Sequence, residues 1–261
     1  MNRDPYAPIA ELYDFEHEGF QEDIPFYQAL ARRTGGVVLE VGCGSGRITT
    51  ALGRAGLTVI GVDPSPVLLE RARQRSAGLA TVRYLAGEAT ALPLDEPIGL
   101  AIFALDTFAH LLEGAAQLRA LAEVRRLLTR RGRLVIDLSL PDPATWRQEE
   151  GLLVHAWTRR AGTATVQKCY ARHLDELAQQ QEIFLCYDRW PEGEAVHRVS
   201  TQLRLRFFYP PELTLLLRLS RFEPEGWYGD YDLTPLEEAS ARLIVIARPV
   251  GRAPRGGGDV R

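Results

Sequence analysis

An acidic residue ahead of alternating glycines, with a second acid about 20 residues further on, is the strongest chemical signal in the chain. The run is Glu40-Val41-Gly42-Cys43-Gly44-Ser45-Gly46, and it stands between a continuous apolar stretch and a helix-like segment. Glycines at alternate positions let a backbone turn sharply and approach a ligand with no Cβ in the way. Glu40 suits a ligand with an ammonium end, or a loop that needs an organising acceptor, and it does not suit a phosphate cradle. Asp63 ends the next apolar stretch, where a carboxylate can accept both hydroxyls of a ribose. The competing reading of Asp63 is a helix N-cap before Pro64 and Ser65. Both acids also suit a nicotinamide-dependent oxidoreductase, but the GxGxxG fingerprint wants glycine where Arg47 stands, and no Tyr-x-x-x-Lys-type pair is found.

The elements that must position these residues follow from hydrophobic patterning. VVLEVGC, bounded by Gly36 and Gly42, fits a strand buried on both faces of a parallel sheet. After it come a helix from Arg47, strand TVIGVD, a helix over SPVLLERARQR, strands TVRYLAG and GLAIFAL, a helix over AAQLRALAEVRRLL, and strand GRLVIDLSL. Short apolar strands alternating with amphipathic helices imply βαβ units. Residues 5–34 carry apolar side chains at helical spacing, broken by Gly19 and Pro25, and read as two helices before the core.

From Leu152 the grammar changes. LLVHAWTRR, TATVQKCYARH, QQEIFLCYDRW and AVHRVSTQLRLRFFY alternate with period two, separated by AG, DELA and PEGE. That is an antiparallel sheet inserted into a parallel fold. In its last strand Leu203, Leu205 and Phe207 form an apolar face and Arg204 and Arg206 a solvated, charged one. PPELTLLLRLS supplies a helix with proline at its start. FEPEGWYGDYD, whose Trp227, Tyr228 and Tyr231 read as core packing, and ARLIVIARP supply two closing strands. The expected organisation is leading helices over 1–35, a ligand-binding core over 36–150, the β insertion over 151–209, a helix and two strands over 210–250, and a disordered tail over 251–261.

VLEVGCGSGR, with the acid at Asp63, resembles the first two motifs of the class I S-adenosylmethionine-dependent methyltransferases across residues 36–140. The resemblance implies a doubly wound, mostly parallel seven-stranded sheet and S-adenosyl-L-methionine as cofactor. It places Glu40, Gly42, Cys43, Gly44 and Gly46 at the cofactor loop, Asp63 with Pro64 at ribose, and Glu88 with Ala89 at adenine. Ala104, after the fourth strand, joins the cofactor contacts, and Tyr13, with Tyr6, closes over them from the leading helices. Relatives more often carry aspartate in place of Glu88, and an acid at the head of the fourth strand in place of Gly99.

What the resemblance implies chemically is methyl transfer to a small-molecule acceptor, at oxygen or nitrogen, by in-line displacement. A sulfonium is already an excellent leaving group, so such an enzyme mainly aligns reactants and excludes water, and a dedicated base is optional. In Ala104-Leu105-Asp106-Thr107-Phe108-Ala109-His110-Leu111 the polar candidates for catalysis are Asp106 and His110. His110 has the pKa range to take an acceptor's proton, though a histidine after a strand also serves as a helix cap or packing residue. A non-catalytic S-adenosylmethionine or S-adenosylhomocysteine binder is the alternative from another class, because fold alone does not fix activity.

Composition bounds the partners. The 261 residues, 46% hydrophobic and 25% charged, support one large α/β core with an elaboration. The 31 basic residues, of which Lys168 is the single lysine, are scattered among acids for a net charge of -3, which gives no electrostatic footprint for nucleic acid. Three cysteines without CxxC spacing suggest neither a disulfide framework nor a zinc site, and no metal is expected. The start lacks a signal-peptide pattern and no stretch reaches the roughly 18 apolar residues of a membrane span, so a soluble cytoplasmic protein without a membrane partner is expected. The inserted sheet offers a surface for a homodimer.

Overall fold

The computed structural model describes residues 4–193 and 195–251. The tail expected to be disordered lies, apart from Gly251, outside the described residues. A 3-10 turn, Ala7–Ile9, leads into α1 (Ala10–His17) and α2 (Asp23–Thr34). The core then alternates β1 (Val37–Val41), α3 (Arg47–Arg54), β2 (Val59–Asp63), α4 (Pro66–Arg75), β3 (Val82–Ala86), β4 (Ile98–Phe103), a 3-10 turn Thr107–His110, α5 (Gly114–Leu127) and β5 (Leu128–Ser139). A short helix, α6 (Pro143–Glu149), precedes β6 (Val154–Ala161), β7 (Ala164–Asp175), β8 (Gln180–Trp190) and β9 (His197–Arg206). The chain closes with α7 (Pro210–Leu219), β10 (Phe222–Tyr228) and β11 (Arg242–Pro249).

The main sheet has seven strands in the order β10-β11-β5-β4-β1-β2-β3, and β11 alone runs against the rest. β1, β2 and β4 are buried almost throughout, as strands with helices on both faces must be. Strand order reverses between β1 and β4, so their carboxyl ends part and leave a crevice. The absent acid at Gly99 has a steric reason. Any Cβ there would collide with the carbonyl oxygen of Gly35, so β4 can slide under the turn that feeds β1 only with glycine at this position.

The four inserted strands form a separate antiparallel sheet in chain order, β6-β7-β8-β9. One face packs on the leading segment: Ile9 sits among Val166, Leu185, Tyr187 and Leu203, with Tyr6, Leu12 and Phe15 around them. Polar contacts strap the two together. Glu16 of α1 accepts from Lys168 Nζ at 2.5 Å and from the Tyr187 hydroxyl at 2.7 Å, and Thr201 Oγ1 donates to the Pro5 carbonyl at 2.6 Å. The sole lysine is therefore a half of this strap. No helix among the described residues is long and apolar enough to cross a membrane.

Candidate functional site

The crevice beyond β1, β2 and β4 is a cavity of about 230 Å³. Gly42 and Gly44 form its floor, Asp63 to Ser65 and Glu88 with Ala89 one end, Leu105, Thr107, His110 and Leu111 a wall, and Tyr6 and Tyr13 its cover. A smaller lobe of about 40 Å³ shares Tyr13, Gly42, Leu105 and Thr107 with it and runs on to Glu40, His17 and Arg47. A long ligand can thus lie from Glu88 past Asp63 to Glu40 under the two tyrosines. Gly42 has to be glycine: its φ is +71°, and a Cβ would drive into Thr107 across the cavity mouth.

The acids differ in what surrounds them. Asp63 is buried and accepts the Gly44 and Ser65 amides, each at 2.8 Å, so it ties the glycine turn to the start of α4. Burial raises its pKa, and those two amides partly counter the rise. Glu40, 3% exposed, accepts from Thr49 Oγ1. Burial pushes its pKa up to about 8 despite the nearby Arg47 charge. Arg47 is committed elsewhere, bidentate on Asp23 at 2.8 and 2.5 Å and donating to the Phe20 carbonyl at 2.9 Å. Glu40 has no ion pair among the described residues, so a cationic ligand end in the small lobe would supply the charge it lacks. Glu88 is exposed at the opposite end of the large lobe, and Pro64 lines the cavity beside Asp63. Ala104 and Cys43 line the small lobe, and burial pushes the Cys43 thiol up, away from thiolate chemistry. Gly46 lines neither lobe; it packs against Tyr84 and Ala72 at the start of α3.

The wall after β4 is held in an uncommon backbone. Leu105 and Asp106 have φ of 45° and 65°, left-handed values that cost energy outside glycine. Asp137, fully buried at the end of β5, over-determines this turn. Its carboxylate accepts from the Leu105 amide at 3.1 Å, the Tyr27 and Tyr231 hydroxyls at 3.0 and 2.9 Å, and Arg242 Nε at 2.8 Å. Its carbonyl takes the Asp106 amide at 3.0 Å. Tyr231, read as core packing from the sequence, is thus both packed and hydrogen-bonded.

The structure separates the two catalytic candidates. Asp106 turns its carboxylate onto the Ser139 amide and Oγ, at 2.6 and 2.7 Å, and does not line the cavity. Its left-handed backbone aims it at β5, which makes it a fastener of the turn. His110 does line the cavity, its Nε2 at 2.9 Å from the Tyr6 hydroxyl. The ring is accessible only because it faces this concave space, whose walls desolvate it and lower its pKa. Tyr6 stays a neutral phenol, its pKa raised by burial.

His17 was not anticipated. Its Nδ1 donates to the Tyr13 carbonyl at 2.8 Å, its ring lies 4.3 Å from that of Tyr13, and it lines the small lobe with Glu40. The available signal was its position four residues after Tyr13, on the same helix face. Thr107 was missed for want of any pattern; only its contact with Gly42 marks it.

Known proteins resemble this chain in sequence and in fold. The methyltransferase domain family matches residues 39–136. An uncharacterized methyltransferase of Geobacillus thermodenitrificans is 31% identical over 189 residues, covering 69% of this chain and 79% of that one. Against the mycobacterial methyltransferases it also matches, the chain spans about half their length, 48%. Among solved structures, the CcbJ methyltransferase from Streptomyces caelestis superposes with a TM-score of 0.78 at 24% identity, over 95% of this chain and all (100%) of that one. CalS10, an amino pentose methyltransferase from Micromonospora echinaspora, gives 0.71 at 18% identity over 92% and 96%.

Proposed function

The chain belongs to the methyltransferases, and from that membership we propose that it uses S-adenosylmethionine and moves its methyl group onto a small-molecule acceptor, at oxygen or nitrogen. The observation that carries the reading is the two-lobed cavity with Glu88 and Asp63 at one end and an unpaired, buried Glu40 at the other. In this reading the adenine lies at Glu88 and Ala89, the ribose at Asp63, and the ammonium end of the methionine part at Glu40. Gly42 and Gly44 give the backbone room, and Tyr6 and Tyr13 exclude water. When bound, S-adenosylmethionine supplies an activated methyl carbon on a sulfonium. His110, kept neutral near pH 7, takes the acceptor's proton through the Tyr6 hydroxyl bonded to its Nε2.

A small acceptor is supported by neighbours of this fold such as CalS10, an amino pentose methyltransferase. Cys169 and Cys186 face each other across β7 and β8 and remain thiols, which suits a reducing, cytoplasmic setting. We also assign a second copy of this chain to the inserted sheet's outer face, where Phe184 is 41% exposed between Ala171 and Gln202.

Calorimetric titration with S-adenosylhomocysteine, with NAD as control, tests the core of this reading. Micromolar binding of the thioether alone supports it, and binding of NAD alone replaces it with an oxidoreductase. Turnover in a screen of amines, phenols and acids then separates a methyltransferase from a non-catalytic binder. His110→Asn should lower that turnover by a much larger factor than it changes S-adenosylhomocysteine affinity.

A further inference from the structure

A second cavity, of about 280 Å³, lies on the far side of the turn that carries His110. Asp106 and Ala109 of that turn and Leu138 to Leu140 at the carboxyl end of β5 form its base, the touching rings of Trp146 of α6 and Phe207 one wall, and Arg172 and Arg206 complete the lining. The turn is therefore a partition with the cofactor cavity on one side and this space on the other. Ligands of open α/β sheets lie beyond the carboxyl ends of the strands, and here β4 and β5 supply those ends.

The charges in this space do not cancel in the usual way. Asp106 has spent its oxygens on Ser139 and lies 3.6 Å from Arg242, so it offers little to a neighbouring cation. Arg206 bonds Glu212 at 2.5 Å and Gln179 at 3.2 Å. Contrary to the solvated face read from the sequence, it is mostly buried, over the Phe208 ring. Arg172 differs. It lies over the Trp146 indole, its Cζ 4.9 Å from the ring centroid, donates to the neutral Gln181 at 2.9 Å, and its nearest carboxylate, Glu149, is 3.7 Å away. Among the described residues the Nε of each arginine has no hydrogen-bond partner. A mostly buried guanidinium, set over an indole and weakly paired, is a receptor for a planar or tetrahedral anion.

We propose that this cavity receives the distal part of the methyl acceptor, and that this part carries a carboxylate or phosphate seated on Arg172, with an apolar body against the touching rings of Trp146 and Phe207. Arg206 adds a fixed positive neighbour that excludes a cationic tail. The proposal rests on the methyltransferase reading, because it takes the acceptor's reacting atom to lie at Tyr6 and His110, around the partition.

The test is titration of the protein, with and without saturating S-adenosylhomocysteine, with benzoate, phenyl phosphate and the neutral benzyl alcohol. Both anions, or one of them, should bind about tenfold or more tightly than the alcohol. The preferred anion tells a carboxylate acceptor from a phosphate one. Arg172→Gln should erase the preference and Arg172→Lys restore part of it, with S-adenosylhomocysteine affinity unchanged in both. Equal binding of anions and alcohol, no binding of any probe, or an anion preference that survives Arg172→Gln overturns the proposal. Failure of S-adenosylhomocysteine to bind wild type overturns the cofactor reading instead, and the probe titrations without it still decide whether an anion seat exists.

Discussion

Glu40 and Asp63 are both buried carboxylates, yet their surroundings give them different work. Asp63 is a hub for two amides as well as a cavity wall, so Asp63→Ala should weaken S-adenosylhomocysteine binding at least about tenfold and also lower the melting temperature, both measurable on one preparation. Glu40 makes the apoprotein sensitive to pH. Folding raises its pKa from 4.5 to about 8, so the folded state keeps a proton that the unfolded chain gives up within that window. Stability is full below the lower value and falls as pH climbs toward the upper, by up to about 1.4 kcal/mol per pH unit. Thermal melts across the window should show the decline in wild type and a flatter profile in Glu40→Gln. A ligand ammonium opposite Glu40 favours its ionised form, so binding near neutrality should release a proton and the calorimetric heat should vary with the buffer's ionisation enthalpy.

Elements were predictable from sequence wherever periodicity was long. The βαβ run, the four inserted strands and the helix over PPELTLLLRLS stand where their patterns put them, because buried strands and amphipathic helices leave regular apolar signatures. α6 left none. It spans under two turns, and the cues were local: Asp142 accepting from the Thr145 amide at 3.1 Å, and Pro143 at the first position. The turn after β4 was equally silent, since a left-handed Leu105-Asp106 pair contradicts local preference and exists only because Asp137, some thirty residues on, holds it. The loop glycines and both buried acids were visible as a motif; the direction of Asp106 was not, because it depends on that long-range bond. Asp137→Ala should expose the dependence. It leaves Arg242 buried without its main partner, a loss of about 3–5 kcal/mol in chemical denaturation, whereas Tyr231→Phe removes one hydrogen bond and should cost about 1 kcal/mol.

At the scale of the whole molecule, the site is a composite of distant segments. The glycine turn is local, but its cover comes from the first two dozen residues, and that cover is fastened to a sheet built from residues 154–206. The outer face of that sheet is the assigned contact with a second copy. Light scattering should give the mass of two chains for wild type and of one for Phe184→Glu, with S-adenosylhomocysteine binding intact in both, because the cofactor cavity lies toward the opposite face. The strap between Glu16 and Lys168 also sets an order of events during synthesis. As the chain leaves the ribosome, α1 emerges well ahead of the sheet it docks on, which arrives only after about 150 further residues. The main sheet itself waits for β11, which fills the place between β5 and β10. A nascent chain therefore exposes an open glycine turn until the inserted sheet and β11 have followed it, and acquires a closed chamber only then.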